Sequence, residues 1–130
     1  MANNKIYHSR VIYGKKTGRN LGYPTVNLDN KNLLRKLKEG VYGCTVYIGN
    51  KSFLGLLYKG PRLILKDKEI SLEIYILNFE GNLYDQTVKF KILDYIREVI
   101  DFPNVSSFRT QIEKDIRHVH KFDKMIVTPT

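Results

Sequence analysis

The chain has 130 residues, 42% of them apolar and 27% charged, and its 22 Lys and Arg outnumber its 13 Asp and Glu to give a formal charge of +9. That composition belongs to a globular chain rather than a disordered or bilayer-spanning one, and residues 1–130 are expected to form a single domain with its own core. A lone cysteine, Cys44, excludes an internal disulfide and a multi-cysteine zinc site, while the positive charge favours an anionic partner or simply gives a solvated lysine surface.

The start, MANNKIYHSR, lacks the apolar segment of a secretory signal, so a cytoplasmic protein is expected. The next stretch, YGKKTGRNLGYPTVNLDN, runs from Tyr13 to Asn30 and repeats glycine at Gly14, Gly18 and Gly22. Such spacing suits a helix, but each glycine costs a helix roughly 1 kcal/mol relative to alanine. Pro24 also removes a backbone donor. The stretch therefore reads as a loop. NKNLLRKLKEG follows as a short helix or turn closed by Gly40.

From Gly40 the pattern is that of strands. GVYGCTVYIGNKSFLGLLY is two β-rich runs about a hairpin at Gly49-Asn50-Lys51, with Cys44 as a buried small apolar residue. In ISLEIYILNF, Ile70, Leu72, Ile74 and Ile76 share one face, and Ser71, Glu73, Tyr75 and Leu77 share the other. A turn at Glu80-Gly81-Asn82 leads to LYDQTVKFKILDYI, where Phe90 and Ile92 point inward. Short strands joined by short turns predict an antiparallel sheet or small barrel. After Phe102-Pro103, the residues Phe108, Ile112, Ile116 and Val119 form one helical stripe, with Ser106 or Ser107 as the cap. Phe108 is expected in the core, and His118 and His120 on a solvated basic face.

The glycine-rich loop has the ingredients of a phosphate cradle. Glycine lets backbone amides approach an anion, and Lys15, Lys16 and Arg19 add charge-assisted hydrogen bonds. The Thr25 hydroxyl and the Asn27 amide oxygen can hold a metal ion shared with phosphates. No GxxxxGK[ST] motif occurs, so the loop is not a Walker loop. On the residues alone, a phosphate cradle and a plain turn both stay open.

GKKTGRNLGYPTVNLD resembles the riboflavin kinase signature G-x(3)-GRxLGFPTANL, with Tyr23 for Phe and Val26 for Ala. GVYGCTVYIGNKSFLGLLY, SLEIYILNFEGNLYD and YIREVIDFPNVSSFRTQIEKD are similar to three further segments of that family, in the same order, covering a core of about Tyr7 to Phe122. The resemblance implies a six-stranded antiparallel Greek-key β-barrel with a C-terminal α-helix. It implies a kinase that moves the γ-phosphoryl of ATP to the 5′-hydroxyl of riboflavin, giving FMN and ADP, with Mg2+ as cofactor. By position, Thr25 and Asn27 then serve the metal–phosphate centre, and Gly14, Lys15, Gly18, Arg19 and Gly22 line the phosphate arch. Glu73 takes the place of the catalytic glutamate, and Arg97, Phe102 and Gln111 lie at positions suited to riboflavin. Strand alternation independently turns Glu73 away from the apolar face of Leu72 and Ile74, and a carboxylate there can take the proton of an attacking alcohol.

The chain departs from the family at several places. Between its strands the family has N-I-G-x-x-P-T, and the corresponding loop here is Leu56 to Arg62, with Asn, Gly and Thr all replaced. Tyr75 stands for the histidine of ExH, Asn78 for the next acidic residue, and Val99 for the glutamate of RxExxF. No HxGH nucleotidyltransferase element occurs, so FMN is the expected end product. Two alternatives stand beside the kinase: a catalytically inactive flavin-binding regulator, and a nucleic-acid-binding barrel suggested by the charge and nine tyrosines. The cations cluster in one loop rather than a stripe, which argues against nucleic acid. The expected partners are ATP and riboflavin, with no membrane, and the expected state is a monomer.

Overall fold

The computed structural model describes residues 5–14, 22–63 and 66–123. Among the described residues are six strands and two α-helices: β1 (Tyr7–Ile12), β2 (Val26–Leu28), α1 (Lys31–Lys36), β3 (Gly40–Ile48), β4 (Lys51–Arg62), β5 (Asp67–Ile76), β6 (Thr87–Arg97) and α2 (Val105–Val119). A short 3-10 turn, His120–Phe122, extends α2. The strands close into a barrel in the order β1-β2-β5-β4-β3-β6, with every neighbouring pair antiparallel. This is the six-stranded Greek-key barrel with a C-terminal helix that the sequence led us to expect. Closure leaves no open sheet edge to recruit another strand.

The long apolar runs of β3 and β4 are explained by burial on both faces. Leu57 faces the barrel interior with Val46, Leu72, Ile74 and Phe90, all buried. Its neighbour Leu56 points the other way, into a second cluster with Val41, Leu54, Leu93 and Val119 of α2. Consecutive residues on opposite faces follow from the strand's period of two. Each fully buried side chain of this size contributes about 1.5–3 kcal/mol through removal from water. Cys44 is fully buried in the barrel interior, and burial pushes its thiol far up from the ordinary value.

Several local expectations are corrected. The segment Leu56–Arg62 is the second half of a twelve-residue strand, not a loop, because it pairs with β5 as far as Arg62. Ile70 is exposed rather than inward, lying beside the register shift at Pro61 where the β4–β5 pairing becomes irregular. Helix α1 stops at Leu37, and Gly40 is already in β3. Asn104, not a serine, caps α2: its side-chain oxygen accepts from the Ser107 backbone N–H at 2.8 Å. His118 is no solvated bystander, since its Nε2 lies 2.8 Å from Asp94 Oδ2.

Helix α2 is docked by a polar staple as well as by its apolar stripe. Arg97 Nε donates to both oxygens of Asp115 at 3.0 Å, and its Nη2 donates to Oδ2 at 2.8 Å. Gln111 Nε2 donates to Asp115 Oδ1 at 2.9 Å, and the Asp115 side chain is only 1% exposed. A carboxylate so buried depends on these donors. Removing one member of a buried ion pair typically costs about 3–5 kcal/mol. Asp115→Ala is therefore expected to lower the unfolding free energy by about 3 kcal/mol or more, read from the midpoint of urea denaturation. An unchanged midpoint would show that the staple adds nothing to helix docking.

Candidate active site

The site is built on the outer face of three neighbouring strands. Asn27 of β2 pairs with Glu73 of β5, and Glu73 pairs on its other side with Tyr58 of β4. Residues directly opposite in antiparallel strands share a face, so these three side chains stand together while Ile74 and Leu57 point inward. Ser71, two residues before Glu73, joins the same face.

Glu73 is the hub. Thr25 Oγ1, from the residue preceding β2, donates to Glu73 Oε1 at 2.5 Å. Ser71 Oγ donates to Oε2 at 2.7 Å, and Arg62 Nε donates to the same oxygen at 2.8 Å. The guanidinium also bridges to β2, with Arg62 Nη2 donating to Asn27 Oδ1 at 2.5 Å. The Arg62 and Glu73 side chains are each 12% exposed, which places the ion pair largely out of water. Tyr58 packs beside them and donates its hydroxyl to the Pro61 carbonyl, tying down the end of β4 that carries Arg62. Burial, and then the negative charge of Glu73, push the Tyr58 phenol up to about 12.

The flanking segments press on the same place. Gly14 lies so close to Asn27 that a Cβ there would overlap the Asn27 side chain, so only glycine fits. Gly22, with φ of 95°, holds a left-handed conformation at the approach to Pro24. Of the other residues expected in the phosphate arch, Lys15, Gly18 and Arg19 lie outside the described residues. A cavity of about 920 Å³ opens beside Gly14, Thr25 and Asn27, with Asn78, Glu80 and Tyr84 across it. Tyr13 and Tyr84 stack at its wall with ring centroids 3.5 Å apart.

Arg97, Phe102 and Gln111 come together as a second cluster. Arg97 and Gln111 both spend donors on Asp115, and the Arg97 guanidinium lies 5.7 Å from the Phe102 ring centroid. Phe108, expected in the core, instead meets Phe102 edge-on at 5.5 Å and Tyr23 at 6.1 Å. Tyr23 in turn meets Tyr75, which follows Glu73 by two residues on β5. An aromatic chain thus joins the two clusters.

The donors near Glu73 are a hydroxyl, an amide oxygen and a carboxylate, the hard oxygen set that suits a small divalent cation completed by phosphate oxygens and water. Among the described residues there is no group of three or more His, Cys, Asp and Glu able to hold a metal by itself. The fit is in kind. The Asn27 oxygen is, however, already taken by Arg62. Neither Arg62 nor Ser71 was singled out as a site residue from the sequence. The only signal for Arg62 was its place where the family pattern has threonine.

Tyr23 gives the site a second high-titrating phenol. Its hydroxyl donates to Glu113 Oε2 of α2 at 2.6 Å, and that bond, then burial, push its pKa up to about 12. A phenol whose folded pKa is raised above its ordinary value of 10.0 stabilises the fold below that pH and loses the contribution as pH climbs towards 12. Ultraviolet titration is expected to show late phenolate formation that Tyr23→Phe and Tyr58→Phe each reduce, with stability falling between pH 10 and 12. Ionisation of both phenols at the ordinary value would contradict the geometry.

Comparison with known proteins bears on the family and the fold. Residues 2–122 match the family model described as Flavokinase: Riboflavin kinase. The chain is 35% identical over 117 residues to the RNA-binding riboflavin kinase RibR of Bacillus subtilis (strain 168), covering 89% of this chain and 50% of that one. It is 36% identical over 121 residues to the bifunctional riboflavin kinase/FMN adenylyltransferase of Buchnera aphidicola subsp. Schizaphis graminum (strain Sg), covering 90% and 38% respectively. The chain thus spans half or less of the length of these curated relatives. The crystal structure of riboflavin kinase from Trypanosoma brucei superposes with a TM-score of 0.63 at 21% identity, covering 90% of this chain and 78% of that one, which is a likeness of fold. Among the described residues no helix is long and apolar enough to cross a membrane. With the family model matching residues 2–122, this chain belongs to the riboflavin kinase family.

Proposed function

We propose that the chain is an ATP:riboflavin 5′-phosphotransferase, moving the γ-phosphoryl of ATP to the riboflavin 5′-hydroxyl to give FMN and ADP. The observation that carries this reading is the Thr25–Glu73 contact of 2.5 Å beside a cavity of about 920 Å³. A candidate base and candidate phosphate-centre donors then lie within one hydrogen-bonded cluster, and the cavity has room for a nucleotide.

In this reading Glu73 accepts the proton of the attacking hydroxyl, its two oxygens holding three donors between them. Ser71 and Thr25 keep the carboxylate oriented, so that little reorganisation is needed when the alcohol arrives. Thr25 and Asn27 would hold Mg2+, which when bound neutralises charge on the phosphates. Gly14 and Gly22, with Lys15, Gly18 and Arg19 between them in the chain, would line the phosphate arch. Arg97, Phe102 and Gln111 would border the flavin, with Phe102 offering an aromatic edge for the ring system. Arg97 meets that role only by sharing its guanidinium with Asp115.

One observation favours a second reading, a catalytically inactive flavin binder: Arg62 occupies both Glu73 and Asn27. Incubation with riboflavin, ATP and Mg2+ separates the two. FMN is expected from the wild-type chain, with Glu73→Gln lowering kcat by about 100-fold or more while riboflavin still binds. Flavin binding by the wild type without FMN would establish the inactive binder, and full activity in Glu73→Gln would remove Glu73 as the base.

A further inference from the structure

We infer that Arg62 is an internal cation that competes with the divalent metal for this site, a guanidinium latch that must leave Asn27 before a metal can be held there. The inference rests on the kinase reading above for the place of the metal, and on the contacts of Arg62 for the latch.

The geometry is specific. Arg62 spans two strands, with Nε on Glu73 Oε2 at 2.8 Å and Nη2 on Asn27 Oδ1 at 2.5 Å. The Asn27 oxygen, with the Thr25 hydroxyl, is a hard donor that a divalent cation would use, and the Glu73 carboxylate supplies negative charge beside them. A guanidinium is planar, permanently charged and forked, so it satisfies a carboxylate and an amide oxygen together. Its charge also cancels that of Glu73. This offset weakens the pull of Glu73 on a bare dication, and the Asn27 amide oxygen is already engaged. Without Arg62, the same oxygens would surround a buried, uncompensated carboxylate, which is a cation site.

Two consequences follow for the working protein. The cluster takes up metal together with nucleotide rather than alone, because phosphate oxygens offer the guanidinium a replacement anion. Release of Arg62 also frees a lone pair on Glu73 Oε2, which keeps its Ser71 donor, so the candidate base becomes more open when the nucleotide is in place. Arg62 is thus a positioning residue acting through Glu73 and Asn27. Its placement at the end of β4, held by the Tyr58–Pro61 contact, keeps the latch within reach of both oxygens.

Mn2+ binding tests this by electron paramagnetic resonance, first without nucleotide and then with ADP. Wild-type chain is expected to bind bare Mn2+ weakly and Mn2+ with ADP more tightly. Arg62→Gln is expected to bind bare Mn2+ at least roughly tenfold more tightly than wild type, the scale set by a lost charge-assisted hydrogen bond. Arg62→Lys, which keeps the charge, should stay near the wild-type affinity. A residue that merely supports the fold would move affinity the other way, so equal or weaker Mn2+ binding in folded Arg62→Gln overturns the latch. Should that variant not fold, the wild type decides alone: the Arg62 Nε–H resonance must shift when ADP and Mg2+ are added together, and an unmoved resonance overturns the proposal. FMN formation by the wild type with no gain of Mn2+ affinity in Arg62→Gln would sink the latch and spare the kinase. Absence of FMN with a clear gain of affinity would do the reverse.

Discussion

Val26–Leu28 is a strand of only three residues, yet its pairing with β5 is what sets Asn27 beside Glu73. Because Asn27 is opposite Glu73, their side chains must emerge on the same side of the sheet. A slip of one residue would send Glu73 into the space now filled by Leu57, Ile74 and Phe90, where a carboxylate would have no donor. So short a strand cannot hold its own register. The closed barrel does so for it, with β1 pairing along the other edge of β2 through Val11–Leu28 and Ile12–Asn27.

The cluster around Glu73 balances burial against hydrogen bonding. A carboxylate that is 12% exposed is costly unless its oxygens are satisfied, and Thr25, Ser71 and Arg62 satisfy them. The same donors that make burial tolerable also occupy most of the lone pairs that base chemistry needs. Helix α2 shows the contrasting case. Asp115 is fully enclosed by Arg97 and Gln111, and that network fastens the helix to β6 rather than standing ready to open.

Between the two lies an aromatic seam. Phe102, Phe108, Tyr23 and Tyr75 touch edge to face in sequence, and Tyr23 adds a hydrogen bond to Glu113 on α2. The segment before β2 is thereby anchored to the helix at one end and to β5 at the other. Such contacts carry mechanical order from the helix to Thr25, which sits two residues after Tyr23.

The local features of the fold were legible in the chain itself. Alternation in ISLEIYILNF gave a strand with Glu73 facing away from Leu72 and Ile74, and the stripe of Ile112, Ile116 and Val119 gave the apolar face of α2. These signals depend on periods of two and 3.6 residues, which a linear sequence displays directly. Thr25, Asn27 and Glu73 were legible as candidates because their residue types and motif context travel with the chain. Their union was not. Asn27 and Arg62 are 35 positions apart, and Arg62 and Glu73 are 11 apart. Whether such residues meet depends on strand order, register and the shift at Pro61, all settled by closing the barrel. For the same reason Arg97 read as a riboflavin contact, and its ion pair with Asp115 emerged only where α2 folds over it. Sequence alone thus determined that antiparallel strands lead into a C-terminal helix and that Glu73 faces away from Leu72 and Ile74. Tertiary structure decided which charges neutralise one another, because a long side chain chooses its partner only after the backbone has fixed what lies within its reach.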